Sequence, residues 1–289
     1  MMKLGFLTGE LEGFARARRL GFESIELFAT ALGDPYETAL DKNKLNEART
    51  LIKKHGVAVT ALAYYRRACR REEVKPMHVA MLRVFDAAEI LGLQTVGAMS
   101  GFDSELDWDG NIQFFADKFG PIAEEAERRG LRVAFENWMS AAHNPLPFKP
   151  TNMGGSPDTW DAWFQAVPSK ALGIEFDPSH LYWQGIDHMR ALREYRDRIY
   201  HVHAKDTEIL EERRYRGGIN GGFFRFRIPG YGAIDWTEFI SGLDEIGYGG
   251  GVAIEHEDPV YSGERFDEGL ARGRNVLHPL IHPEAEGID

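Results

Sequence analysis

The pattern of apolar and polar positions alternates between two periods. Short apolar runs rich in β-branched and aromatic residues recur at 4–7, 24–28, 57–62, 95–99, 132–135, 171–176, 199–203 and 251–254. Most are too continuous for a strand with one wet face, so they predict strands covered on both sides. The stretches between them are amphipathic with helix-stop signals. Residues 42–55 run into Gly56, 76–91 into Gly92, 111–129 into Arg128-Arg129-Gly130, and 235–246 into Gly247. Glycine just past a last turn, with cations before it, closes a helix and suits its dipole. Strand followed by helix, repeated, predicts a parallel sheet. Eight such units in 289 residues predict an α/β fold closed into a (β/α)8 TIM barrel, one domain over residues 1–289. An open doubly wound sheet would carry a glycine-rich phosphate turn after its first strand. Here Thr8-Gly9-Glu10-Leu11-Glu12-Gly13 puts two acids in that place.

Two segments break the rhythm. Residues 139–157 and 207–233 are long and rich in glycine, proline and aromatics, and both follow strands at their C-terminal ends. In a barrel that end carries the active site, so both predict functional loops over it.

Composition narrows the picture. There are 34 Lys+Arg against 45 Asp+Glu, a net charge of -11, which disfavours phosphate backbones and anionic membranes as partners. No apolar run approaches a membrane span, and the N-terminal stretch gains acids too early for a secretory signal. The single cysteine, Cys69, suits a reducing interior and predicts a cytoplasmic protein. The expected partner is a small sugar substrate, with neither nucleic acid nor membrane, and a homo-oligomer is compatible with the sequence.

The candidate chemistry is written at four consecutive strand ends. The fifth ends in Phe135-Glu136-Asn137, the sixth in Phe176-Asp177-Pro178-Ser179-His180, the seventh in His201-Val202-His203-Ala204-Lys205-Asp206, and the eighth in Ile254-Glu255-His256-Glu257. A carboxylate at the end of an apolar strand is costly unless it is paired or metal-bound. Three carboxylates and an imidazole suit Mn²⁺, Mg²⁺, Co²⁺ or Zn²⁺, with manganese the leading expectation, and leave a site charge of about -1 around a dication. Alternation along the seventh strand places His201 one layer below His203 and puts Lys205 on the same face. Asp206 then points outward and His256 away from the barrel. Glu26, near the end of the second strand, would orient a substrate-binding group or form a structural pair. Aromatic residues that stack on sugars, Trp138 and Tyr231 among them, gather near these ends. The cluster Arg66-Arg67 and the pair Arg213-Arg214 have no assigned role.

On these segments, with Gly230-Tyr231-Gly232-Ala233-Ile234-Asp235-Trp236, nearly the whole chain resembles the xylose-isomerase-like barrels. That group includes sugar phosphate isomerases and epimerases, ketose 3-epimerases and inosose dehydratases. The resemblance implies Glu136, Asp177, His203 and Glu255 as metal ligands, and His180 and Lys205 as substrate-side groups. The implied enzyme is a divalent-metal-dependent sugar isomerase or epimerase. It takes the proton beside a carbonyl through a metal-bound enediolate, with Glu136 and Glu255 as acid and base. Two departures from the ketose 3-epimerase pattern stand out. Thr207-Glu208-Ile209-Leu210 lacks its arginine, and the loop after the fifth strand offers His143 where a second Glu is expected. A histidine titrates near neutrality and can serve as acid or base. The alternative is therefore a lyase: a 3-keto-glycoside deglycosidase with His143 as base, or an inosose-type dehydratase. A non-catalytic sugar-binding protein ranks below both.

Overall fold

The computed structural model of the protein describes residues 1–139, 151–218 and 222–283. Eight parallel strands close into a barrel in the order β1-β10-β7-β6-β5-β4-β3-β2. They are β1 (Lys3–Thr8), β2 (Ser24–Phe28), β3 (Ala58–Tyr64), β4 (Thr95–Ala98), β5 (Arg132–Glu136), β6 (Leu172–Phe176), β7 (Ile199–Ala204) and β10 (Gly251–Ile254). All eight apolar runs of the sequence are strands, within a residue or two at each end.

Helices pack outside. Among them α2 (Lys42–His55), α3 (Val74–Leu91), α4 (Trp108–Arg129) and α9 (Trp236–Glu245) correspond to the four amphipathic stretches. Asp41 caps α2 by accepting from the backbone N–H groups of Asn43 and Lys44, and Asp107 caps α4 through Gly110 N–H. These bonds satisfy donors that a helix start leaves free. The layer between sheet and helices is aromatic: Phe115 stacks on Trp163 at 4.7 Å, and Phe119 meets Phe135 edge-on at 4.6 Å.

The segment 207–233 is more ordered than the sequence suggested. Strand β8 (Asp206–Ile209), helix α8 (Glu211–Gly217) and strand β9 (Phe224–Arg227) form an antiparallel ribbon. Phe224-Arg225-Phe226-Arg227 alternates, with both phenylalanines buried and both arginines half-buried, as a strand with one wet face requires. The glycines flanking it hid that signal. Trp183 stacks on Phe224 at 4.6 Å and ties the ribbon to α6 (Pro178–Trp183). Among the described residues no helix is long and apolar enough to cross a membrane.

Candidate metal centre

Alternation delivers one polar side chain per strand to the barrel mouth, and local backbone bonds aim each of them. Asp177 caps α6, and its Oδ1 accepts from Ser179 N–H at 2.8 Å, which leaves Oδ2 turned to the centre without a hydrogen bond. Asn137 clamps it further: Asp177 N–H donates to Asn137 Oδ1 at 2.7 Å, and Asn137 Nδ2 donates to the Asp177 carbonyl at 3.0 Å. Glu136 Oε2 accepts from Trp138 N–H at 2.7 Å, which leaves Oε1 free. One oxygen of each carboxylate is thus held by backbone while the other faces the centre.

Glu136, Asp177, His180 and Glu255 each bring a ligand atom within 4.8 Å of the others. His180 Nε2 lies 3.0 Å from Glu136 Oε1 and 3.5 Å from Asp177 Oδ2, out of line for hydrogen bonds. His203 borders the group from β7, its Nδ1 3.1 Å from Glu255 Oε2. Glu136 Oε1, Asp177 Oδ2, His180 Nε2 and His203 Nδ1 are all buried without a hydrogen-bond partner. Buried groups of this kind are normally paired. Unpaired carboxylate oxygens and imidazole nitrogens facing one point fit a divalent cation.

The sequence placed His203 as the imidazole of this set. By distance His180 stands in the four-residue group and His203 at its edge. Lys205 completes the floor, its Nζ 2.6 Å from Glu255 Oε2, 3.1 Å from Glu257 Oε2 and 3.3 Å from Asp177 Oδ2.

These charges act on one another. Burial pushes the Glu136 carboxyl up to about 8, against the pull of Lys205. Burial also works to raise Glu255, but Lys205 and His203 hold it well below the usual carboxylate range. Burial takes His180 down to about 4, assisted by Lys205, so its ring is neutral at physiological pH. Burial alone would lower Lys205, yet Glu255, Glu257 and Asp177 lift it well above its ordinary value.

One layer deeper lies a second polar group, Glu26, Glu175, His201 and His203, entirely buried. It closes largely on itself. Glu26 Oε2 meets His203 Nε2 at 2.8 Å, Glu175 Oε1 meets His201 Nδ1 at 2.8 Å, and Thr60 Oγ1 meets His201 Nε2 at 2.9 Å. The Tyr65 hydroxyl donates toward both Glu26 and Glu175. Gly97 clears the room, since a Cβ there would stand 2.9 Å from Glu175 Oε2 and 3.1 Å from the Tyr65 ring. Glu26 was noted in the sequence as a candidate for pairing. Tyr65 is one of the aromatic residues the sequence gathers near the strand ends, with no sign there of its hydroxyl contacts; Glu175 escapes the sequence reading, though an acid inside the apolar run Leu172-Gly173-Ile174-Glu175-Phe176 is a signal for it.

Above the carboxylates opens a cavity of about 530 Å³, lined by Tyr65, Arg67, Trp138, His180, Lys205, Phe226, Glu257 and neighbours. That size suits a monosaccharide-scale ligand. Trp138, expected at the substrate, is on this wall with Arg67 over its ring at 5.3 Å. Tyr231, also expected there, is not. The N–H groups of Gly230 and Gly232 on either side of it donate to Asp206, and its own side chain turns outward to accept from Arg272 at 2.9 Å. It lines a separate, larger cavity of about 1100 Å³ beside Trp183 and Phe223, which contains none of the four grouped ligands. His143 lies outside the described residues.

The family model for xylose isomerase-like TIM barrels matches residues 14–276. This chain belongs to that family. Its curated relatives include an inosose dehydratase of Geobacillus thermodenitrificans, 25% identical over 165 residues, 54% of this chain and 50% of that protein. The chain spans about half the length of the first curated relatives it matches. Solved xylose isomerase-like neighbours include a 3-keto-D-glucoside 4-epimerase from E. coli, with TM-score 0.69 and 21% identity over 95% of this chain and all of that one. Another is an IOLI protein solved with a zinc atom, with TM-score 0.73 and 18% identity over 97% of this chain and 98% of that one. At these identities the structural likeness concerns the fold.

Proposed function

We propose that the protein is a divalent-metal-dependent sugar isomerase or epimerase that removes the proton beside a carbonyl of a keto-sugar or related polyol. The observation that carries this reading is the convergence of Glu136, Asp177 and Glu255 beneath a monosaccharide-sized cavity, with Glu136 and Asp177 each buried with an unpartnered oxygen. Glu136, Asp177, Glu255 and a histidine would hold the cation, with manganese the first expectation. Once bound, it would polarise the carbonyl and an adjacent hydroxyl and favour the negative charge left by proton loss.

His203 is the better-supported imidazole. A ligating histidine almost always gives its other nitrogen to a carboxylate or carbonyl. His203 Nε2 has Glu26 at 2.8 Å, whereas His180 Nδ1 is buried with no partner. That leaves His180, neutral and on the cavity wall, to bind a substrate hydroxyl. Lys205 presents an ammonium to the substrate oxygens, and Trp138 offers an apolar face for the sugar ring.

Glu136 on β5 and Glu255 just after β10 are separated around the barrel by β6 and β7, so they would approach a substrate from two sides. One carboxylate takes the proton from carbon. Return from the other side to the same carbon gives an epimer, and return to the neighbouring carbon gives the aldose–ketose isomer.

A second reading, loss of water or of an aglycone, has its own support. Lys205 donates to Glu255 and Glu257 on the cavity floor, where its ammonium can hydrogen-bond a departing oxygen. Relatives named inosose dehydratase and 3-dehydroshikimate dehydratase point the same way. The test is incubation with Mn²⁺ in D₂O and a panel of ketoses, phosphorylated ketoses, inososes and 3-keto-glycosides. An epimer or isomer carrying deuterium beside the carbonyl is the expected product. A dehydrated product, or a released aglycone, would replace the first reading with the second.

A further inference from the structure

We propose that Glu26 is a positioning residue: it grips His203 from below and thereby presents Nδ1 to the carboxylate group. This rests on the reading of that group as the holder of a divalent cation. The ring of His203 is bounded at both ends. Nε2 lies 2.8 Å from Glu26 Oε2, and Nδ1 lies 3.1 Å from Glu255 Oε2 with no hydrogen bond of its own. A bond from Nε2–H to Glu26 fixes the tautomer that leaves the Nδ1 lone pair free, and it fixes the plane of the ring.

Glu26 is itself held. It is fully buried, and its Oε1 accepts from the Tyr65 hydroxyl at 2.9 Å. Tyr65 also lines the substrate cavity, so one phenol spans the cavity wall and the brace beneath the ligand. The neighbouring carboxylate does not do the same job. Glu175 Oε1 stands 3.6 Å from His203 Nε2 and pairs with His201 at 2.8 Å. Of these two equally buried glutamates only Glu26 is within hydrogen-bond distance of His203 Nε2, which the Tyr65 hydroxyl also approaches at 3.2 Å.

That difference separates a positioning role from a merely structural one. The variants are Glu26→Leu, Glu26→Asp, Glu26→Gln and Glu175→Gln. The readouts are Co²⁺ affinity by chelator competition, the visible absorption spectrum of the Co²⁺-loaded protein, and thermal melting. Glu26→Leu is expected to lose about 10–100-fold in Co²⁺ affinity with an altered spectrum. Glu26→Gln keeps an acceptor oxygen at the same reach and is expected to stay near wild type. Glu26→Asp, one methylene shorter, is expected to fall between them, and it carries the test should Glu26→Leu not fold. Glu175→Gln is expected to lower the melting temperature without moving affinity or spectrum. Wild-type affinity and spectrum in Glu26→Leu or Glu26→Asp would overturn the inference, as would an equal loss in Glu175→Gln. A wild-type protein that takes up no Co²⁺, Mn²⁺ or Zn²⁺ would instead overturn the reading of the site itself.

Discussion

Asn137 shows how much of the site depends on a residue that touches no substrate. It is completely buried between β5 and β6, and its amide exchanges two hydrogen bonds with the backbone of Asp177. Replacing it with Ala leaves a buried N–H and C=O unsatisfied, at a cost of about 1–3 kcal/mol each. The Asn137→Ala variant should lose about 2–5 kcal/mol of unfolding free energy in urea, and its Mn²⁺ affinity should fall with it. Unchanged affinity would mean that Asp177 needs no clamp. The sequence exposed Glu136, Asp177, His203 and Glu255 because each ends an apolar strand, where a charge is conspicuous. Asn137 was written beside Glu136 and drew no notice, because an amide after a strand is ordinary until its partner forty residues away is known. Tyr65 and Glu175, 110 positions apart, meet only because the barrel closes.

At the level of elements, two side chains pin the loops of the barrel mouth. Asp206 accepts from the N–H groups of Thr207, Gly230, Gly232 and Ile234 and from the Trp236 indole. This explains the Gly-Tyr-Gly-Ala-Ile-Asp-Trp run, since a Cβ on Gly232 would come within 2.3 Å of Asp206 Oδ1. Gly232→Ala should therefore lower the urea midpoint and loosen the β8–β9 ribbon, seen as faster amide exchange there; unaltered exchange would contradict the assignment.

Lys118 on α4 is the second pin. It donates to the carbonyls of Ala68 and Ser100, in the loops after β3 and β4. Burial pushes its ammonium down to about 7, with Cys69, Glu73 and Asp103 pulling weakly upward. Between about 7 and its ordinary 10.5 the unfolded chain holds a proton that the folded chain has lost. Lys118 thus contributes a rise in stability with pH across that window, and its burial penalty is fully present below it. Urea titrations between pH 6.5 and 9.5 should show a shallower rise in Lys118→Met than in wild type. Identical slopes would refute this.

For the whole molecule, the rhythm of strand and helix was enough to read the barrel, because covered strands and capped helices write their periods locally. Alternation along β7 places His201 below His203, but the meeting of that layer with Glu26 and Glu175 is not legible, since it depends on register between strands distant in the chain. Glycines hide the ribbon of β8 and β9 in the sequence, and Tyr231, expected at the substrate, lines a different cavity from Trp138, with the backbone on either side of it held by Asp206. Several of the acids behind the net charge of -11 have a place in the barrel interior.

On the function proposed, a carboxylate at this site moves a proton to and from carbon while the site holds a cation. Solvent-deuterium exchange into a responsive keto-sugar, measured on Mn²⁺-loaded wild type and on Glu255→Gln with metal content determined in both, tests it most directly. Wild type should exchange hydrogen at the carbon beside the carbonyl, and Glu255→Gln should exchange about 10²–10⁴-fold more slowly. Exchange in Glu255→Gln at the wild-type rate, or no exchange by the loaded wild type with any sugar of the panel, would contradict it.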